Sequence, residues 1–250
     1  MIKYRAGSAC QAVRRGITVL AVIVGVALPG TLTASADVRT ATDGLAGFDI
    51  SASQGVPDLA AAKAAGAVFA YVKDTAGVGY VNPNFLTQFR AVKAAGLLRG
   101  AYHYARPDKS SGADQARYLH SHNGKWFSDG MTLPPMIDLE ATDDAPECYG
   151  LDAAGMVSWI TDFSNTMTRL TGHHPMIYTT ALWWDHCTAN STAFRATNPL
   201  WLARYNTTPG KVPGGWGQQT FWQYGVTGSL PGNQDSYNGT MDDLRALTVD

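Results

Sequence analysis

Two alanine-rich stretches of the same pattern decide the fold: LAAAKAAGAVFAYVK at Leu59–Lys73 and FRAVKAAGLLRGAYHY at Phe89–Tyr104. Each begins as a helix and reaches a glycine, Gly66 or Gly96, where a left-handed helix cap is expected. An apolar, aromatic run typical of a buried strand follows each glycine at once. Because the two glycines lie 30 residues apart, about the length of one βα unit, the pattern predicts parallel strands joined by crossover helices.

The rest of the chain extends this pattern to eight candidate strands. Helices are expected only between the first five strands, and one of them runs from about Leu151 to Leu170 and ends at Gly172. A full (β/α)8 barrel takes about 250 residues. The 214 residues that follow the first 36 are fewer, which suits a barrel whose last crossover helices are lost. The sequence therefore predicts an α/β fold, a TIM-like barrel with eight strands and about five helices, (β/α)5(β)3; an open doubly wound sheet is the alternative. The candidate strands are Ala46–Ile50, the runs after Gly66 and Gly96, Pro135–Glu140, Met176–Thr180, Leu200–Tyr205, Thr220–Tyr224 and Gln234–Tyr237.

The first 36 residues have the three parts of a secretory signal peptide. Met1–Ala36 carries four basic residues and no acidic one, then the apolar run Ile17–Leu28 and the small-residue exit Ala34-Ser35-Ala36. The apolar run is too short to span a bilayer, which takes about 20 residues. We therefore expect cleavage after Ala36, with residues 37–250 exported as a single domain that has no integral membrane segment.

The net charge and the cysteines of the part expected to be exported argue against some classes of function. Removing 36 of the 250 residues, and four of the 19 basic side chains, leaves 214 residues with a net charge of −5. This balance argues against a nucleic-acid binder. Cys148 and Cys187 are the two remaining cysteines, and an even pair in an oxidising compartment is expected to form a disulfide. There is no C-x-x-C pair and the histidines lack ligand spacing, so neither a metal nor another cofactor is expected.

Acidic residues collect at the ends of the predicted strands, where α/β barrels place their catalytic side chains. The strongest pattern is Met136-Ile137-Asp138-Leu139-Glu140. Because strand side chains alternate, Asp138 and Glu140 share one face, about 7 Å apart, and Leu139 faces the helices. Glycosidic cleavage needs one carboxylic acid and one carboxylate, and like charges this close favour keeping one of them protonated. A solvated acidic strand end with a basic partner is the alternative. The other acids at strand ends are Asp49, Asp74 and Asp235.

Aromatic residues fall on the same strands and would suit a sugar ligand. Sugar rings pack their C–H faces on aromatic rings, while phenol and indole groups hydrogen-bond hydroxyls. The alternative for each is that it fills the barrel. His103 is either a core histidine or a polar contact at the barrel mouth, and Lys73 and Arg204 are candidate buried counter-ions of the acids. The aromatic residues are Tyr71, Tyr102, Tyr104, Tyr178, Trp201, Tyr205, Trp222 and Tyr224.

Taken in order, these segments resemble family 25 of the glycoside hydrolases, the N-acetylmuramidase lysozymes, of the secreted bacterial type. The resemblance runs from about Ala46 to Asn238. The matching segments are GFDISASQG (47–55), FAYVKDTAG (69–77), GAYHYARP (100–107), PMIDLEAT (135–142), PLWLARYN (199–206), FWQYG (221–225) and the aspartate of Asn233-Gln234-Asp235.

The resemblance implies hydrolysis of the β-1,4 bond between N-acetylmuramic acid and N-acetylglucosamine in peptidoglycan. Carried over by position, Glu140 is the general acid/base. Asp138 is its partner, either as nucleophile or, in a substrate-assisted variant, by orienting the muramic acetamido group. Asp49 and Asp235 are further active-site acids. The remaining residues assigned to active-site support or substrate binding are Tyr102, Tyr104, Tyr178, Trp201 and Gln223.

One departure from the family pattern concerns the second strand. Family members commonly have K-A-T-E-G where this chain has Lys73-Asp74-Thr75-Ala76-Gly77, so the acid at position 76 is absent. Asp74 is a candidate replacement, since two residues along a strand return to the same face. The alternatives are a catalytically weakened carbohydrate-binding barrel and another hexosaminidase such as a chitinase, whose D-x-x-D-x-D-x-E run is missing. The expected protein is a secreted, extracellular monomer whose partner is bacterial cell-wall peptidoglycan.

Overall fold

A computed structural model of the chain describes residues 43–250. The predicted signal peptide, Met1–Ala36, and its cleavage site lie outside the described residues, so the division into residues 1–36 and a single domain of residues 37–250 stays a prediction. The strands are β1 (Leu45–Ile50), β2 (Phe69–Ala76), β3 (Tyr80–Val81), β4 (Leu98–Tyr104), β5 (Met136–Leu139), β6 (Met176–Thr180), β7 (Leu200–Ala203), β8 (Phe221–Gly225) and β9 (Asn233–Tyr237). The helices are α1 (Leu59–Ala64), α2 (Phe85–Ala94), α3 (Gly112–His122), α4 (Ala153–Thr171), α5 (Ala181–Thr188) and α6 (Met241–Ala246).

Eight of these strands close a barrel in the order β1-β2-β4-β5-β6-β7-β8-β9, and β9 pairs back onto β1. Strand β3 is a short antiparallel addition to the end of β2. The predicted barrel is confirmed, and the open doubly wound sheet is not observed. The last strand differs from the rest, because β9 runs antiparallel to both β8 and β1.

Helices α1 to α5 form the five crossovers, which gives the predicted (β/α)5(β)3 arrangement, and α6 follows the last strand. Gly66 and Gly96 follow α1 and α2 with φ of +99° and +71°, as expected of left-handed caps. The expectation that helices end before Met176–Thr180 was wrong. Helix α5 starts at Ala181 directly after β6, and Thr180 caps it by accepting a 3.1 Å hydrogen bond from the Trp183 backbone N–H.

Two apolar layers build the barrel, one inside it and one between strands and helices. Strand alternation sends Leu139 outward into the layer that packs against α4 and α5, as predicted. The inner layer is aromatic: Trp201 stacks on Phe221 at 4.7 Å between ring centroids and meets Tyr71 edge-on at 4.9 Å. These rings fill the interior of the barrel. The side chains at its carboxyl end, which we call the mouth, therefore rest on a closely packed aromatic layer.

The predicted disulfide is present. Cys148 lies in a short 3-10 turn (Glu147–Gly150) after β5 and is bonded to Cys187 near the end of α5. The two residues are 39 apart in the chain, so the bond closes a loop that contains all of α4 and β6. Within residues 43–250, no helix has the length and apolar character needed to cross a membrane.

Candidate active site

Four carboxyl groups converge on the barrel mouth from three strands. Asp49 lies on β1 and Asp138 on β5, Glu140 follows β5 directly, and Asp235 lies on β9. Parallel pairing places Asp138 opposite Tyr104 of β4 and Tyr178 of β6. Because β9 is antiparallel, Asp235 sits in the middle of its strand, between Gly47 and Gln223, and is completely buried. The structure thus brings together the four acids predicted from the sequence.

Asp49 is held by two amide donors. Gln223 Nε2 donates to Asp49 Oδ2 at 2.6 Å, and Asn233 Nδ2 donates to Oδ1 at 3.1 Å. The Gln223 amide oxygen in turn accepts hydrogen bonds from the phenols of Tyr178 at 2.8 Å and Tyr205 at 2.9 Å. This network fixes the orientation of the Gln223 amide, because its oxygen faces two donors and its nitrogen a carboxylate.

Asp235 lies deeper in the barrel than Asp49, because it pairs with Gly47, two residues before Asp49 on β1, and it contacts the inner aromatic layer. The indole of Trp201 donates to Asp235 Oδ1 at 3.2 Å. Burial raises the pKa of Asp235 well above its ordinary value, and the nearby charge of Asp49 raises it further. Burial raises the pKa of Asp49 as well, but the amides of Gln223 and Asn233 and the charge of Lys73 oppose that rise, so between the two acids a proton is favoured on Asp235.

The pKa values of Asp138 and Glu140 are both raised, and burial is the main cause for each. The charge of Glu140 adds to the effect at Asp138, while the ammonium of Lys73 opposes it at both carboxyls. Asp138 is only 7% exposed, and its Oδ1 has no hydrogen-bond partner in the described part of the chain, so no donor offsets its burial. The pair is therefore suited to share a proton at pH values where free carboxyls are ionised.

Lys73 is the cation of the site, as the sequence indicated. Its ammonium lies 4.5 Å from the ring centroid of Tyr104 and 5.7 Å from that of Tyr80. Such contacts hold a cation over an aromatic face. Burial lowers the pKa of Lys73, whereas Asp138, Glu140 and Asp49 raise it, so the ammonium and the acids stabilise each other's charged forms.

Tyr102 stands on β4 next to this group, nearly buried in the inner layer. Burial and the surrounding carboxylates raise the pKa of its phenol well above the ordinary value. Tyr102 therefore stays a neutral hydrogen-bonding group at the mouth of the barrel.

Two cavities meet at Glu140, and a third begins beside it. The Tyr205 cavity, about 430 Å³, is bounded by Glu140, Tyr178 and Tyr205 among others. The disulfide cavity, about 520 Å³, lies between Glu140, the loop after β5 and helix α5, and includes Cys148 and Cys187 in its wall.

The third cavity, the Tyr80 cavity of about 500 Å³, is lined by Tyr80, Tyr104 and Ala76. The phenol of Tyr104 donates to the carbonyl of Ala141, the residue after Glu140, at 3.1 Å. Glu140 therefore stands at the junction of an open groove with room on more than one side.

Three residues do not have the role at the mouth that the sequence suggested for them, although one of them, Arg204, does border the Tyr205 cavity. Asp74 does not replace an acid at position 76: the pairing of β2 with β4 shifts between Lys73 and Thr75, and Asp74 turns away to accept a 3.0 Å hydrogen bond from the Asn123 backbone N–H. Arg204 is exposed and donates to the Thr208 carbonyl at 2.8 Å, so it is not a buried counter-ion.

His103 belongs to the core and not to the mouth. It is completely buried on the helix side of β4, with Nδ1 at 2.8 Å from Thr75 Oγ1 and Nε2 at 2.9 Å from Gln115 Oε1. Burial lowers the pKa of its imidazole to about 4. The neutral ring is therefore a structural group.

The sequence did not single out Asn233, Tyr149 or Leu182. Asn233 was part of a recognised segment, but its contact with Asp49 follows from the antiparallel direction of β9, which places the two residues opposite each other. Tyr149 donates to the Glu140 carbonyl at 2.7 Å from an irregular turn. Leu182 is 84% exposed in the first turn of α5, a helix that the sequence pattern did not predict.

Among residues 43–250, no group of three or more His, Cys, Asp and Glu side chains is arranged to hold a metal ion. The groups available at the mouth are carboxyls of raised pKa, one ammonium, phenols and amides. A closed α/β barrel that presents paired carboxyls in an open groove has the groups that acid/base cleavage of a glycosidic bond requires. By fold and site, the protein is of the class of glycoside hydrolase barrels.

Comparison with known proteins gives the family. The model of the glycosyl hydrolases family 25 matches residues 48–233. The N,O-diacetylmuramidase of Chalaropsis sp. is 47% identical over 207 residues, which cover 81% of this chain and 98% of that protein. Lysozyme M1 of Streptomyces globisporus is 38% identical and covers 90% of this chain and 79% of its own length. This chain belongs to family 25 of the glycosyl hydrolases and is a glycoside hydrolase.

Solved structures agree with this assignment. A family 25 lysozyme from Aspergillus fumigatus superposes with a TM-score of 0.81 at 42% identity, over 82% of this chain and 99% of that one. A muramidase from Trichobolus zukalii gives a TM-score of 0.80 at 46% identity, over 82% and 98%. The family resemblance seen in the sequence is confirmed. The bacterial type is not favoured, because several of these relatives are fungal.

Proposed function

We propose that this protein is a muramidase that cleaves the β-1,4 bond between N-acetylmuramic acid and N-acetylglucosamine in peptidoglycan. Glu140 is the general acid/base and Asp138 its partner. The observation that carries the proposal is the pair itself: both carboxyls leave the end of β5 on one face, their pKa values are raised, and Glu140 lines two cavities of the groove.

In the proposed reaction, protonated Glu140 donates its proton to the glycosidic oxygen as the bond to the anomeric carbon breaks. The reactive form of the pair carries the shared proton on Glu140, which lines the open cavities, and leaves Asp138 ionised near the Lys73 ammonium. Ionised Asp138 then stabilises the positive charge that develops on the sugar, either by bonding to the anomeric carbon or by orienting the muramic acetamido oxygen that does so. Glu140, now a carboxylate, then removes a proton from the water that completes hydrolysis. Deeper in the barrel, Asp49 and Asp235 tune the pair, and Gln223 keeps Asp49 in place.

In this proposal the phenols of Tyr102, Tyr104 and Tyr178 bind sugar hydroxyls. Tyr104 and Tyr178 line cavities of the groove, and because each already donates a hydrogen bond, its oxygen can accept one from the sugar. Trp201 has a different part: it is completely buried beneath the acids and supports Asp235 through its indole N–H. In this proposal Trp201 supports the active site by holding Asp235 and does not stack on a sugar.

The test is product analysis on peptidoglycan fragments of defined length by mass spectrometry. New reducing ends on muramic acid are the expected result, and reducing ends on glucosamine would refute the bond assignment and indicate another hexosaminidase. Glu140→Gln should lose several orders of magnitude in rate while still binding glycan. A wild-type protein that binds glycan without turnover would establish the carbohydrate-binding alternative.

Export and a monomeric state complete the proposal. Export is supported by the pattern of Met1–Ala36 and by the disulfide, which forms in oxidising compartments. The measurement is the amino-terminal sequence of protein recovered from culture medium, expected to begin at Asp37. An intact amino terminus on protein retained in the cell would contradict export, and light scattering tests the monomer.

A further inference from the structure

The disulfide cavity is a separate arm of the groove beside Glu140. It is bounded by the loop that follows β5 and by one face of α5, and it shares only Glu140, Thr180 and Leu182 with the Tyr205 cavity. Leu182 stands between the two. A molecule bound at Glu140 can therefore extend into either cavity.

The chemistry of the three cavities differs. The Tyr205 and Tyr80 cavities are lined by tyrosines, Tyr178 and Tyr205 in the first and Tyr80 and Tyr104 in the second. Aromatic faces combined with phenol hydroxyls suit sugar rings. A linear glycan leaves the reacting bond in two directions. Glu140 itself lines the Tyr205 cavity, and the Tyr80 cavity approaches it through Tyr104, whose phenol bonds to the Ala141 carbonyl, so we assign the two directions of the glycan to these two cavities. The disulfide cavity, which has no tyrosine among its lining residues, is left for another group.

The lining of the disulfide cavity suits a peptide better than a sugar. Leu182, which is 84% exposed, and the Cys148–Cys187 bridge provide an apolar wall. The lining also includes one aromatic side chain, Trp183, but it is only 8% exposed and leaves little ring face for a sugar. Glu147 and His186 lie at the edge of the cavity 3.1 Å apart, with side chains 78% and 59% exposed. A sugar presents a dense, uncharged set of hydroxyls, whereas a short peptide presents methyl groups, amides and charged ends.

We propose that the disulfide cavity binds the peptide that branches from the lactyl group of N-acetylmuramic acid. Methyl groups at the start of the peptide cover Leu182, and the charged groups further along meet Glu147 and His186. The inference rests on the proposed function, because only a muramic substrate carries such a branch. It makes the enzyme selective for peptide-bearing glycan.

The test compares two substrates and three variants. One substrate is glycan that carries its peptides, and the other is the same glycan after an amidase has removed them. Leu182→Ser and His186→Ala alter the cavity, and both residues are largely exposed, so the variants are expected to fold. His186→Ala is the deciding variant, because Leu182 also borders the Tyr205 cavity whereas His186 lines the disulfide cavity and neither of the other two. Leu86→Ser, an exposed leucine on α2 that is not among the lining residues of these cavities, is the matched control.

We expect each cavity variant to lower kcat/KM on the peptide-bearing glycan about tenfold more than on the stripped glycan, mainly through KM. Leu86→Ser should keep the wild-type ratio of the two substrates. Equal losses on both substrates would show that the cavity holds sugar, and no loss on either would show that it holds nothing. Both results overturn the inference while leaving muramidase activity intact. If wild-type protein cleaves neither substrate, the proposed function itself fails.

Discussion

The phenol of Tyr149 donates a 2.7 Å hydrogen bond to the backbone carbonyl of Glu140. Tyr149 reaches this carbonyl from left-handed backbone, with φ of +50° at Cys148 and +58° at Tyr149. Non-glycine residues seldom adopt such angles, which cost about 1 to 3 kcal/mol each and persist where surrounding contacts hold them. Here the holding contact is the bond from Cys148 to Cys187. The backbone that carries the proposed acid is thus fixed from outside the barrel.

Tyr149→Phe tests this support. The change removes one hydroxyl and leaves the Glu140 carbonyl without its donor, at a cost to stability of about 1 kcal/mol. We expect kcat to fall about tenfold with little change in KM, because the acid is misplaced while the sugar contacts remain. Steady-state kinetics on soluble peptidoglycan measures both constants, and Tyr118→Phe on α3 is the control. A stability loss with unchanged kcat would reduce Tyr149 to a structural role.

Removing the disulfide should affect both stability and rate. Closing a loop of about 40 residues stabilises a fold by about 4 kcal/mol on the chain-entropy model. The Cys148→Ser/Cys187→Ser double variant is therefore expected to unfold at a distinctly lower temperature than wild type. Below that temperature its kcat should also fall, because the turn that carries Tyr149 is released. Calorimetry measures the loss of stability, and kinetics on the same preparation measures the loss of kcat. A variant that is folded and keeps the wild-type kcat would contradict the expected effect on rate.

The sequence allows much of the fold and site to be predicted, because several signals there are local. Glycines after two alanine-rich helices predicted the βα repeat. The alternation in Met136–Glu140 placed Asp138 and Glu140 on one face and Leu139 on the other, since that depends only on strand geometry. The disulfide was predicted because two cysteines remain in the part of the chain that is expected to be exported.

The features that the sequence did not predict depend on partners distant in the chain. The direction of β9 depends on its neighbours β8 and β1, so the contact of Asn233 with Asp49 could not be read from its segment. The shift in β2 pairing that turns Asp74 outward is a property of two strands together. Helix α5 was missed because it follows β6 with no intervening loop and is apolar on several sides, which weakens the helical period.

Asp74→Asn should stabilise the protein at neutral pH without changing its activity. Burial raises the pKa of the completely buried Asp74 to about 6, so its ionised form opposes folding. When folding raises the pKa of a carboxyl, the protein is most stable at pH values below the pKa of that group in the unfolded chain. This stability is lost as the pH rises through the pKa of the group in the folded protein. The two values differ by about 2 units, which is about 3 kcal/mol.

The expected gain in the free energy of unfolding for Asp74→Asn is therefore present at pH 8 and absent at pH 4. Urea unfolding at the two pH values measures it. Asp58→Asn, at the exposed start of α1, is not a suitable control because Asp58 caps that helix. Asp185→Asn, an exposed position on α5, is the better one. A gain of equal size at both pH values would show that the effect is not ionisation.

Lys73→Met tests the electrostatics of the acid pair. The ammonium of Lys73 lowers the pKa values of Asp138 and Glu140, which burial raises. Without this charge both pKa values rise further, so both limbs of the pH–rate profile should move to higher pH. The wild-type optimum is expected at mildly acidic pH, because Glu140 must hold its proton. An optimum above about pH 8 would contradict the assignment of Glu140 as the acid.

The control for Lys73→Met is Lys125→Met, which should leave the profile in place. Lys125 is an exposed lysine just after α3 and is not among the lining residues of the three cavities of the groove. The control matters because any lost lysine changes the net charge and the weak long-range field. Limbs that move to lower pH in Lys73→Met, or that move equally in both variants, would show that Lys73 does not act on the pair directly. If the limbs of the pH–rate profile shift only in Lys73→Met, the groups that titrate must lie near Lys73. They would then be at the mouth of the barrel, where the Lys73 ammonium lies over the Tyr104 ring.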